Sequence, residues 1–174
     1  MPKIKIPKYS PRLLDILKKN GITLKDKISV EEFEREVCRF MDKNKVLHLG
    51  TSYNDIPRVT PLEYKHKGFT LYIFSEGGGK FANLRKNKNV ALSIASPYDS
   101  KKDFFGAKGL QMWGRAEVIS AKSSPKKFKE CLQIMGIDER RLSGEFNYRV
   151  IKIEPHMIRY RNTRAGFRNV VWEK

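Results

Sequence analysis

Acidic residues are scarce in this chain: 19 Asp and Glu stand against 36 Lys and Arg in 174 residues, a formal net charge of +17. Such a surplus draws anions, whether nucleic acid, a membrane surface or phosphorylated small molecules, and it does not specify a fold. The basic residues run from Lys3, Lys5 and Lys8 to Arg159, Arg161, Arg164 and Arg168, so no single tail carries them. Cysteine is nearly absent. Cys38 and Cys131 lie far apart, each in an amphipathic helical pattern, which reads as two buried thiols in a reducing compartment and not as a disulfide framework. His48, His66 and His156 share no ligand spacing with one another or with the cysteines, so no metal site is expected. No run approaches the ~20 apolar residues of a membrane span. Met1–Lys8 lacks the apolar core of a signal peptide, and the chain reads as soluble and cytoplasmic, with no membrane partner. No Ser-His-Asp arrangement or Glu pair points to hydrolysis.

What is present is a change of texture along the chain. Ser10-Pro11 is an N-cap followed by proline at the first helical position, with Leu13, Leu14 and Leu17 on one face before Gly21. Ser29 with Glu32 three residues on forms a capping box, and Val30, Phe33, Val37, Phe40 and Met41 keep helical spacing to about Asn44. From Val46 the pattern becomes six short strands: Val46–Ser52, Arg58–Tyr64, Thr70–Ser75, Val90–Ala95, Leu110–Ile119 and Tyr148–Ile153. Short helices are predicted at Lys80–Lys86 and from Ser124-Pro125 to Gly136. Few short helices among six strands predict a small barrel and not a parallel βαβ sheet. Residues 1–28 read as an N-terminal helical extension and 29–174 as the barrel domain. The loop Ser96–Lys108 reads as a mobile segment or an interface.

The stretch Asp55–Asn87 carries the most chemistry. Arg58 and Thr60 are two apart on a strand and so share a face. The next strand ends in Phe74-Ser75, and Glu76-Gly77-Gly78-Gly79-Lys80 opens into the short helix. Glycines let backbone N–H groups approach an anion, Arg offers a planar fork to phosphate oxygens and Lys a point charge. This is a phosphate cradle in sequence form. It is not a Walker A loop, because Phe74 and Phe81 occupy the positions where that motif needs Gly and Ser or Thr.

Seven pieces in order resemble one family. They are Leu49-Gly50-Thr51, Asp55-Ile56-Pro57, Arg58-Val59-Thr60, Phe74-Ser75, Lys80-Phe81-Ala82-Asn83-Leu84, Asn87-Lys88-Asn89-Val90 and Gly114-Arg115-Ala116-Glu117-Val118. From about Glu34 to Tyr160 the chain resembles the pyridoxamine 5'-phosphate oxidase-like, FMN-binding split-barrel family. The resemblance implies a mainly β (α+β) fold, a six-stranded antiparallel split β-barrel with N-terminal and peripheral helices. It implies a homodimer with FMN between subunits. It assigns cofactor binding to Arg58, Val59, Thr60, Phe74, Ser75, Gly79, Lys80 and Asn83, with Gln111 reaching the flavin from the partner subunit.

Vitamin B6 oxidases of this family carry a Trp-Gln-Gly and an Arg-x-His-Asp-Arg stretch near the C-terminus. Here Arg159–Arg168 holds neither Trp nor His, so oxidation of pyridoxamine phosphate is not expected. The segment Arg159–Lys174 is instead expected to cover the flavin and select an anionic, planar substrate, through Arg164, Arg168 and Trp172. The resulting expectation is a flavoprotein oxidoreductase acting on a small molecule. The deazaflavin F420 is an alternative cofactor, and a basic module for single-stranded nucleic acid is an alternative of another class.

Overall fold

Two serines start the N-terminal helices. The Ser10 hydroxyl accepts from the Leu13 amide at 3.3 Å and opens α1 (Pro11–Lys19). Ser29 accepts from the Glu32 amide at 3.1 Å and opens α2 (Val30–Lys43). Each cap satisfies an amide that the first helical turn leaves unpaired. Of the apolar stripe of α2, Phe33, Val37, Phe40 and Met41 are at most 5% exposed and Val30, in its first turn, is half-buried.

The computed structural model describes residues 1–174. Its strands are β1 (Lys3–Lys5), β2 (Val46–Tyr53), β3 (Ile56–Glu63), β4 (Lys65–Lys67), β5 (Thr70–Ser75), β6 (Asn89–Ala95), β7 (Lys108–Ser120), β8 (Arg149–Asn162) and β9 (Phe167–Glu173). Two further helices are α3 (Lys80–Lys86) and α4 (Pro125–Met135). Hydrogen bonding runs in the order β1-β9-β8-β7-β6-β2-β3, with β5 also on β8 and β4 on β5. The path does not close. The fold is thus the antiparallel, sheet-dominated α+β class, of split-barrel type.

The nine strands exceed the expected six by β1, β4 and β9, and one expected strand, β8, is longer than expected. β1 and β4 are three residues each, too short to show a period of two. β8 was expected to stop at Ile153 but continues through Pro155, a residue that cannot donate to a ladder. The C-terminal segment forms β9, whose Trp172 is paired with Ile158 of β8 and Ile4 of β1.

The chain divides into two compact units. The first comprises residues 1–44, 93–112 and 156–174, the second residues 45–92 and 113–155. In the first, Phe33, Phe40, Phe167 and Tyr160 pack edge-on or tilted, with ring centroids 5.5–6.5 Å apart. In the second, α4 lays Phe128, Cys131, Leu132 and Met135 against Tyr72, Ile119 and Val150. α4 ends as its glycine signal predicts, with Gly136 in the left-handed region at φ 69°.

Candidate functional site

The glycine-rich turn of the second unit gathers the cationic side chains. β3 is antiparallel to β2, with Thr51 opposite Arg58 and Leu49 opposite Thr60. Thr51 and Arg58 therefore share a face, and on that face the Thr51 hydroxyl accepts from the Asn83 amide of α3 at 3.1 Å. This bond ties the start of α3 to the Arg58 strand pair. The Arg58 guanidinium lies where a side chain on Gly79 would go: a Cβ there would be 2.7–2.9 Å from its Cζ, Nη2 and Nε. Gly79 has an ordinary helical φ of −61°, so its glycine is needed for space. Gly78 is glycine for the other reason, a φ of 107°.

Lys80 turns inward. It is 5% exposed, and its ammonium donates to the Gly77 carbonyl. Ser75 donates to the same carbonyl at 3.4 Å. The Lys80 ammonium also sits 4.9 Å from the centre of the Phe81 ring, and the Arg149 guanidinium sits 4.5 Å from it. Burial, then the Arg149 charge, pushes the Lys80 pKa below its usual value. A buried cation within the field of a second cation is costly by itself, and a bound anion would offset that cost. The residues here therefore fit a phosphate. They fit it through side-chain charge more than through backbone amides. The Phe81 and Ala82 amides are already bonded to the Gly78 and Gly79 carbonyls.

Arg149 is the member that sequence reading missed. It opens β8 opposite Ser75 of β5, and only that register brings it to the turn, 69 positions after Lys80 in the chain. No local motif signals it.

The other expected cofactor residues are distributed as follows. Thr60 is half-buried on the Arg58 face of β3, and Val59 is 67% exposed. Phe74 packs with the α4 cluster and stacks on Tyr148, centroids 5.0 Å apart. Strand alternation sends it to the face opposite Ser75. Asn83 is engaged with Thr51, which makes it a positioning residue for the turn.

Gln111, Arg164, Arg168 and Trp172 belong to the first unit. Gln111 is exposed on β7 and lines a cavity there with Lys108, Arg159, Arg161 and Asn169. Arg164 forks onto Asp103, its Nε 3.0 Å from Oδ2 and its Nη2 2.6 Å from Oδ1, and also donates to the Asn20 carbonyl at 2.9 Å. This clasp holds down the loop Ser96–Lys108, which was expected to be mobile or interfacial. It also depresses the Asp103 pKa. The Arg168 carbonyl accepts from the Tyr9 hydroxyl. Trp172 is buried, 6% exposed, between its neighbouring strands. Arg164 and Trp172 are thus held by separate partners and the Arg168 guanidinium by the Thr163 hydroxyl at 3.5 Å, whereas Arg159 and Arg161 line one cavity.

Comparison with known proteins agrees with this fold. The sequence profile described as pyridoxamine 5'-phosphate oxidase matches residues 33–162. None of the curated proteins matches significantly. Among solved structures, a candidate pyridoxamine 5'-phosphate oxidase from Listeria innocua is 25% identical, with 74% of this chain and 98% of that one covered at a TM-score of 0.57. A FAD-binding protein from Mesorhizobium loti is 18% identical over 84% of this chain and 96% of its own, TM-score 0.53. The heme storage protein HutZ from Vibrio cholerae is 17% identical over 76% and 97%, TM-score 0.54. With the profile spanning the Arg58 strand, the glycine turn, the Gly114 strand and all of β8, the chain belongs to the pyridoxamine 5'-phosphate oxidase family.

Proposed function

We propose that this chain is an FMN-binding oxidoreductase acting on a small molecule, with the FMN phosphate held by Arg58, Thr60, Ser75, Lys80 and Arg149. The observation that carries the reading is that buried Lys80 and Arg149 both place their charge on the Phe81 ring, with Arg58 packed on Gly79. Bound FMN would supply hydride or single-electron transfer at its ring system. The chain's own residues bind and orient: Arg58 offers a two-pronged donor, Lys80 and Arg149 neutralise charge, and Ser75 and Thr60 provide hydroxyls. Asn83 holds the turn in place through Thr51.

A homodimer fits the same reading. β3 ends the hydrogen-bonded order, and beside Arg58 it exposes Ile56 (70%) and Val59 (67%). An apolar edge strand beside a cofactor cradle is suited to a second copy, which would also supply a second wall for the ring. The resemblance of the motifs assigns Gln111 to that wall.

The visible spectrum of the purified protein tests the cofactor: a two-band flavin spectrum supports the reading. A single deazaflavin band would replace FMN by F420, and a heme spectrum would overturn both. Lys80→Ala should weaken FMN binding by roughly ten- to a hundred-fold, the loss of one charge-assisted contact worth ~1.5–3 kcal/mol. Equal FMN affinity in wild type and variant, read by fluorescence quenching, would remove the cradle assignment. A gel shift with a single-stranded oligonucleotide at physiological salt tests the nucleic-acid alternative, for which no shift is expected.

A further inference from the structure

The cavity in the first unit, about 260 Å³, is lined by Lys108, Gln111, Arg159, Arg161 and Asn169 among others, and by no carboxylate. Arg159 and Arg161 lie two apart on β8, flanking the fully buried Tyr160, so they share the outward face. Two further features mark this place. The Arg161 Nε is buried and has no hydrogen-bond partner in the protein. Opposite Arg161 the β8–β9 ladder is irregular: Tyr160 pairs with Val170 and Asn162 with Phe167, so Arg168 and Asn169 together face Arg161 alone. Asn169 takes the left-handed conformation, φ 54°, at this bulge. Bulges re-aim side chains and unusual backbone collects at binding sites. Solvated surface cations would require neither a bulge nor an unpaired buried donor. The Asp103 carboxylate of the Ser96–Lys108 loop is hydrogen-bonded by the Arg164 fork, and its charge also acts on Lys108 at the cavity.

We infer that Arg161, with Arg159, Lys108 and Gln111, forms an oxyanion site that takes the carboxylate or phosphate of the small-molecule substrate. As a substrate site it rests on the redox reading above; as an anion site it stands on its own geometry. The Arg161 fork supplies paired donors to two oxygens, Lys108 and Arg159 add charge, and Gln111 adds a neutral donor.

The test is calorimetric titration of the full chain at low ionic strength with benzoate and, separately, inorganic phosphate. Benzoate lacks the phosphate group that the glycine turn fits. Arg161→Met should weaken benzoate binding tenfold or more, while Lys80→Ala leaves it within twofold. With both anions titrated into Lys80→Ala, so that the glycine turn does not contribute, stronger binding of benzoate than of phosphate would assign the carboxylate, and phosphate binding that is stronger and lost on adding Arg161→Met would assign the phosphate. Should Arg161→Met fail to fold, Lys108→Met, a change at an exposed side chain, should still weaken benzoate severalfold. The inference is overturned if wild type shows no saturable binding of benzoate, and Lys80→Ala none of phosphate, up to about 10 mM. It is equally overturned if Arg161→Met and Lys108→Met bind as wild type does. If FMN does not bind, but benzoate binds and is lost in Arg161→Met, the flavin reading fails and the anion site stands.

Discussion

Glu36 collects two donors on one carboxylate oxygen, the Tyr160 hydroxyl at 3.0 Å and the Asn162 amide at 2.9 Å. Tyr160 is fully buried and Asn162 9% exposed, so removing the carboxylate costs both donors their protein partner and leaves only solvent of the pocket they line with Glu36 to replace it. Glu36→Ala should therefore destabilise the chain by about 2–4 kcal/mol, read as a lower urea midpoint. An unchanged midpoint would mean that both donors find other partners. Cys38 gives a prediction with a pH signature. Burial, then the Glu34 and Asp42 charges, pushes its thiol up to about 11. In the unfolded chain the thiol ionises nearer its ordinary value, so between that value and about 11 the unfolded form binds fewer protons. Its stabilising share is full below the ordinary thiol pKa and falls as pH rises towards 11. Labelling by a thiol reagent should stay slow at pH 8, and Cys38→Ser should flatten the alkaline slope of stability. At this scale the sequence showed Arg58, Lys80 and the glycines as a set, because they fall within one short stretch. It could not show Arg149 or Arg161, whose roles come from what sheet register sets beside them.

At the scale of elements, caps were legible and strand lengths were not. Ser10, Ser29 and Gly136 bound their helices because capping is local chemistry within a few residues. The extension of β8 past Pro155 depends on its neighbour. β7 carries Gly114 where the β8 backbone fills the space of a side chain: a Cβ there would be 2.5 Å from the Glu154 carbonyl oxygen and 2.9 Å from the Pro155 Cα. That contact gives a physical reason for the glycine of the Gly114-Arg115-Ala116 motif. Backbone atoms cannot yield as a flexible side chain would, so Gly114→Ala should cost roughly 2 kcal/mol or more. Thermal denaturation checks it, and a variant as stable as wild type would show that β7 and β8 can part at no cost. The Arg159–Lys174 segment shows the same dependence. Its alternating arginines and aromatics resembled a binding cover, yet Trp172 and Val170 pack inward as strand residues once β1 and β8 flank them.

For the whole molecule, the surplus of positive charge concerns partners and the exposed edge concerns assembly. No helix is long and apolar enough to cross a membrane. If β3 meets a second copy through Ile56 and Val59, placing a charge there should separate the copies. Sedimentation should show wild type near twice the 20.3 kDa chain mass and Val59→Glu near that mass at micromolar concentration. Loss of FMN together with loss of the dimer would tie cofactor to assembly. A wild-type monomer that retains flavin would contradict the arrangement.

The sequence by itself determined the helix starts and stops, the antiparallel sheet-dominated class and the Arg58–glycine–Lys80 set. Each of these rests on interactions between residues close in the chain or on a repeated period along one element. Only the tertiary structure decided that Lys80 points inward and shares the Phe81 ring with Arg149, that Arg164 clasps Asp103, and that Arg159 and Arg161 line a cavity with Gln111. Those facts depend on which strands pair and in what register. A shift of one residue exchanges the two faces of a strand, and no local pattern in a chain this rich in cations says which of them will meet.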